Sequence, residues 1–165
     1  MVVATLKKKK KQYRVTGVGS KCRTEVKTAR HSVVTDTPAK DGGTDVAAEP
    51  VETLLAALVG CEQATAHWVA RILRFRIDRI EFDVQASRDP RGAIALPVDQ
   101  TPPVPSRLEK VWGTATVYAQ NATPEDIRKL GTIVHTRCPV ASMITLSGCA
   151  LEVEWYLGSS SRTRE

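Results

Sequence analysis

The chain has 165 residues, 42% hydrophobic and 25% charged. That is enough for one domain with a real core, and the balance excludes a disordered or fibrous class. The net charge of +6 is unevenly placed: ten Lys/Arg against the single acid Glu25 fall in residues 1–31, so the remainder is mildly acidic. Aromatics are scarce at 5%, so the core must lean on Val, Leu, Ile and Ala. Four cysteines, Cys22, Cys61, Cys138 and Cys149, do not make a secreted disulfide framework at this size. No Cys-x-x-Cys or zinc-type Cys/His spacing appears, so neither metal nor cofactor is expected. The N-terminal residues lack an apolar signal segment. The expected compartment is the reducing cytoplasm, with mitochondria as the alternative because residues 1–24 contain no acid.

In chain order, residues 1–11 read as a basic flexible tail. The five lysines Lys7–Lys11 repel one another and resist burial, and only Tyr13 is at hand to stack a base, so nucleic acid is not the expected partner. Residues 12–35, rich in Val and Thr, predict two or three short strands joined by glycine turns. Residues 36–48 read as a loop. Pro50 to Phe75 predicts the dominant helix, with Pro50 at its start and Glu52 in its first turn. Leu54, Leu58, Cys61, Thr65 and Trp68 recur at spacings of three and four and share a face. Small or apolar residues elsewhere on the helix predict burial nearly all round. Glu52, Glu62, Gln63, His67 and Arg71 argue against a membrane span, so the helix is expected under a sheet or against a partner chain.

Residues 77–88 alternate as a strand, 89–106 are a proline-rich loop, and 107–119 form another strand. Thr123-Pro-Glu-Asp opens a helix to about Thr136, a short helix begins at Cys138-Pro139, and 149–157 alternate as a last strand. Residues 158–165 are expected to be a disordered tail. The order predicts an α+β domain over residues 12–157 with mostly antiparallel sheets.

Two thiols stand out chemically. Pro139 places Cys138 near a helix N-cap, where free N–H groups and the dipole, with Arg137 nearby, would lower a thiol pKa. A cysteine merely packed at a helix end fits the same motif. Apolar neighbours around Cys61 would instead raise its pKa, and a free cysteine there is often just a small core residue. A reactive Cys61 needs a cation, for which Arg23 and Arg30 are candidates, and a carboxylate such as Glu52 could orient it. Cys22, placed on an exposed strand, and Cys149 read as structural.

Residues 30–61 carry Asp-Thr-Pro, Gly-Gly-Thr-Asp and Pro-Val-Glu-Thr-Leu-Leu-Ala-Ala-Leu-Val-Gly-Cys, and Arg-Cys-Pro-Val-Ala follows at 137–141. In this order and spacing they resemble the OsmC/Ohr family of osmotically induced and organic-hydroperoxide-resistance proteins. The resemblance implies an intertwined homodimer, with sheets of both subunits wrapped around two long central helices and active sites at the interface. It implies a cysteine peroxidase without metal or cofactor, Cys61 matching the peroxidatic and Cys138 the resolving cysteine. Its substrate would be an organic hydroperoxide and its reductant a dithiol of lipoyl or thioredoxin type. The peroxidase branches carry an arginine on an early strand after a glycine, where this chain reads Gly19-Ser20-Lys21 with Arg23 just beyond. They also carry a glutamate ten residues before the cysteine, where this chain has Val51, with Glu52 next. The likeness is therefore to the less characterised OsmC-like branch, in which Arg30 is the alternative cation. A redox-linked protein that binds an apolar ligand at the interface is the competing reading.

Overall fold

The computed structural model describes residues 10–159. Lys7–Lys9 of the basic run and residues 160–165 of the expected C-terminal tail lie outside them. Strands β1 (Thr16–Ser20), β2 (Arg23–Lys27) and β3 (Ser32–Thr35) precede the long helix α1 (Pro50–Leu73). Strand β4 (Arg76–Ser87), helix α2 (Arg91–Ile94), strand β5 (Lys110–Gln120), helices α3 (Pro124–Arg137) and α4 (Pro139–Leu146), and strand β6 (Ala150–Leu157) follow. This is the expected α+β class. The chain divides into two units, Met1–Thr53 and Leu54–Glu165.

The first unit is an antiparallel sheet of order β1-β2-β3. Ser20 pairs with Arg23, so Lys21 and Cys22 make a two-residue hairpin turn, with Lys21 at φ 52°. Such turns need positive φ to match the strand twist. Cys22 is therefore a turn residue, not the strand residue expected. No residue of these three strands is buried, and Val18 is 81% exposed. The following loop is tied down by Asp36, whose Oδ2 accepts from the Thr44 hydroxyl at 2.6 Å, the Thr44 amide at 3.0 Å and the Val46 amide at 3.4 Å. These bonds, the Thr44 hydroxyl first, hold the Asp36 pKa at about 2 against the opposing effect of burial. Gly43 closes the loop because a Cβ there would lie 2.0 Å from the Thr37 carbonyl oxygen.

The second unit is a sheet of order β4-β5-β6. The β4–β5 pair is antiparallel. The β5–β6 pair is parallel, because the α3–α4 crossover returns the chain to the same end of the sheet. The proline-rich segment is not wholly a loop: Asp89 accepts from the Arg91 amide at 2.9 Å and starts the single turn of α2. Helix α3 begins as expected, with a complete capping box between Thr123 and Asp126. Its apolar row, Ile127, Leu130 and Val134, is fully buried, and so are Val111, Ala115 and Val117 of β5. Gly131 lets α3 approach β6, since a Cβ there would sit 2.5 Å from the Trp155 ring. Trp155 in turn meets Phe82 edge-on at 5.8 Å.

Helix α1 departs from the expected stripe. Its buried row is Leu58, Glu62, Ala66, Val69 and Ala70, while Leu54 and Trp68 are 40% and 46% exposed. The helix is therefore not buried all round within one chain. No helix among the described residues is long and apolar enough to cross a membrane.

Candidate functional site

The loop from α3 to α4 is built by Cys138 itself. Pro139 removes one N–H and presets the first turn of α4. The Cys138 amide closes α3 on the Val134 carbonyl at 2.8 Å, and its Sγ accepts from the Ala141 amide at 3.4 Å. Cys138 is thus the N-cap expected from sequence. Cys61 lies on α1 one position from the buried row, partly exposed and packed against the core. Its thiol is close enough to that of Cys138 to perturb it. The fold therefore brings together two cysteines 77 positions apart in sequence. Both are free thiols.

The expectation of a lowered Cys138 pKa is overturned. Its thiol is pushed up to about 11, by burial above all and further by the Cys61 thiol, while the Ala141 amide only partly opposes this. Cys138 has no exposed surface, and loss of water disfavours the thiolate more than one weak N–H bond favours it. Cys138 keeps its proton at neutral pH, and an S–H in that place can donate to an anion on Cys61.

A second constellation lies one residue from Cys61 and three from Cys138 along the two helices. Glu62 of α1 is fully buried, and His135 Nε2 of α3 sits 3.4 Å from its Oε1 without the alignment of a hydrogen bond. Neither Glu62 oxygen has a hydrogen-bond partner among the described residues. Burial raises the Glu62 pKa to about 7 and lowers that of His135. Sequence reasoning used Glu62 only to argue against a membrane span. The signal for its burial was its spacing, four residues from both Leu58 and Ala66. Nearby, the Arg137 guanidinium stacks on Trp68 at 5.5 Å, a further link between α3 and α1.

The three proposed supporting residues belong to the first unit. Arg23 opens β2 beside the hairpin turn and lines a cleft of about 400 Å³ with Lys21, Cys22 and Asp36. Arg30 is exposed in the β2–β3 turn, its amide donating to the Thr28 hydroxyl at 3.3 Å. Neither arginine makes an ion pair among the described residues. Glu52 reaches back to the Glu49 amide at 2.9 Å and so closes the start of α1. Cys149 is buried and precedes β6, and burial raises its pKa despite the opposing charge of Arg107. Among the described residues no His/Cys/Asp/Glu group could hold a metal.

The family model described as OsmC-like protein matches residues 42–154. That span includes Glu52, Cys61, Glu62, His135 and Cys138, but not Arg23 or Arg30. The sequence matches none of the curated proteins. Among solved structures, the chain is similar to an OsmC-like protein from Mycoplasma pneumoniae (20% identity, TM-score 0.72, covering 90% of this chain and 99% of that one). It is similar to the organic hydroperoxide resistance protein OsmC from Legionella pneumophila (16%, TM-score 0.67, 89% and 98%). It is also similar to the organic hydroperoxide resistance protein OhrB of Bacillus subtilis (18%, TM-score 0.57, 87% and 96%). At these identities the likeness is one of fold.

Proposed function

The chain belongs to the OsmC-like protein family, and from that premise we propose that it is a thiol peroxidase that reduces organic hydroperoxides through Cys61. The observation that carries this reading is that the thiol of Cys61, partly exposed, lies close enough to that of Cys138, buried and protonated, to perturb it. A peroxide can reach the first, and the second stands ready to resolve the product.

The Cys61 thiolate attacks one peroxide oxygen and the O–O bond breaks. The alkoxide takes a proton and leaves as an alcohol, and Cys61 becomes a sulfenic acid. Cys138 then displaces hydroxide, which departs as water with the Cys138 proton, and the Cys61–Cys138 disulfide forms. A dithiol of lipoyl or thioredoxin type resets the pair by exchange. The apolar surroundings of Cys61 favour an organic over an inorganic peroxide. Arg23 and Arg30 are the cations proposed to hold the Cys61 thiolate, with Glu52 to orient the arginine. Arg23→Ala and Arg30→Ala separate them, because removing the true partner costs on the order of a hundredfold in rate.

We place the site in a homodimer in a reducing compartment. The exposed valines of the first sheet and the exposed small residues of α1, with Leu54 and Trp68, support a second copy covering them. Cumene hydroperoxide consumption with a dithiol reductant tests the activity. Cys61→Ser is expected to abolish turnover, and full turnover in that variant overturns the proposal. No turnover by the wild type, with an apolar ligand seen by native mass spectrometry, would favour the ligand-binding alternative.

A further inference from the structure

The helix contact between α1 and α3 carries a buried carboxyl that the peroxidase steps do not use. Glu62 has no exposed surface, and both its oxygens lack hydrogen-bond partners among the described residues. A buried polar group in that state is costly, and a buried bare carboxylate more so. The group facing it is His135 Nε2, at 3.4 Å and itself buried. The His135 side chain keeps a quarter of its exposure, which opens on a cleft of about 360 Å³ lined also by Arg128, Glu154, Trp155 and Tyr156. So one end of this pair is sealed in the core and the other is open to proton exchange with solvent.

We propose that Glu62 and His135 share one proton across the α1–α3 contact, and that this shared proton is a positioning device holding Cys61 against Cys138. The inference rests on the Cys61–Cys138 reading for its consequence, but not for the proton itself. With one proton the pair is neutral overall, whether as carboxylic acid and imidazole or as carboxylate and imidazolium, and either form offers one donor and one acceptor across the contact. A second proton leaves a cation facing a neutral acid. Loss of the only proton leaves a carboxylate buried opposite a neutral ring, which an interior does not tolerate without movement. Because Glu62 neighbours Cys61 and His135 lies one turn before Cys138, such movement is passed to the two thiols.

Titratable and charged groups of α1, α3, α4 and β6 lie around the pair. Cys61 of α1 and Cys138 at the start of α4 flank it along the chain. Arg128 of α3 and Glu154 and Tyr156 of β6 share the cleft with His135. Burial raises the pKa of Glu62 to about 7 and lowers that of His135 below its usual value. The one-proton state therefore ends, as pH rises, at about pH 7.

The test has two arms on the full chain. In wild-type protein, NMR of the ring protons, assigned among His31, His67 and His135 with His135→Asn, is expected to show His135 responding in two steps. One is its own ionisation below pH 6.5, and one near pH 7 follows Glu62. A single step, with no response near pH 7, overturns the shared proton. The second arm measures closure of the Cys61–Cys138 disulfide by diamide, a diazene that takes two electrons and two protons from the thiol pair. The amide introduced by Glu62→Gln has no proton to lose in this range. The ratio of variant to wild-type closure rates is therefore expected to rise by on the order of tenfold from pH 6 to pH 8. A ratio that does not change with pH overturns the positioning role. Failure of the wild type to close the disulfide at any pH overturns the cysteine reading and the positioning role together, while the histidine titration still decides the proton.

Discussion

At the residue scale, the two cysteines differ in their surroundings, and the proposed division of work between them rests on that difference. Cys138 is sealed and protonated, and Cys61 is reachable. Cys138→Ser is therefore expected to leave the first chemical step intact and to stop the second. One equivalent of alcohol forms per chain, and a Cys61 sulfenic acid accumulates, seen as a gain of one oxygen by intact mass and trapped by dimedone. Rapid steady turnover with the dithiol reductant in that variant would mean that Cys138 does not resolve the intermediate. A second residue-scale prediction concerns Gly131. A methyl group 2.5 Å from the Trp155 ring must push α3 off β6, and overpacking of this kind costs about 1–3 kcal/mol. Gly131→Ala is expected to lower the urea midpoint without changing the slope.

At the element scale, local signals account for the helices that carry the site. Thr123 and Asp126 satisfy each other's amides, with Thr123 accepting from the Asp126 amide at 3.2 Å and Asp126 from the Thr123 amide at 2.8 Å. Thr123→Ala should destabilise the protein by about 1 kcal/mol, read as a shift in thermal midpoint. The same helix has His135 and Arg137 in its last turn and Cys138 as its C-cap, so fraying caused by losing the N-terminal cap should leave disulfide closure less affected than Glu62→Gln does. This start was legible because a cap is a short-range arrangement of four residues. The face of α1 was not: with apolar or small residues on every side, periodicity cannot choose a row. The core chose Leu58, Glu62, Ala66 and Ala70, turning Leu54 and Trp68 outward. The parallel β5–β6 pair was equally hidden, since alternation along a strand shows which face is inside and not the direction of its neighbour.

At the scale of the whole molecule, stability should depend on pH through the buried pair. Glu62 binds its proton more tightly folded than unfolded, so its contribution is complete below about pH 4.5 and is lost as pH rises to about 7. A shift of that size corresponds to roughly 3 kcal/mol. His135 runs the other way. Its proton is held less tightly in the folded state, so its contribution is present above pH 6.5 and lost as pH falls below it. Urea unfolding of wild type against Glu62→Gln at pH 5 and pH 7.5 isolates the first effect. The wild type should weaken relative to the variant as pH rises, and a constant difference would contradict it. Assembly is the other molecular-scale prediction. Sedimentation should give twice the 18.0 kDa chain mass, and Val18→Asp, at an 81% exposed position, should shift it toward one chain.

Residue order alone carries the class, the succession of the elements, the two cysteines and the family motifs. All of these are written in local spacing or in the order of short segments. The surroundings of the candidate site residues were decided by packing in three dimensions. Folding set Cys138 beside Cys61 and buried it, so that desolvation overrode the helix N-terminus and raised the thiol pKa that local sequence had suggested would fall. It also turned Glu62 into the core opposite His135. Proton affinities depend on what surrounds a group in space, and for these residues the surroundings come from segments more than seventy positions away.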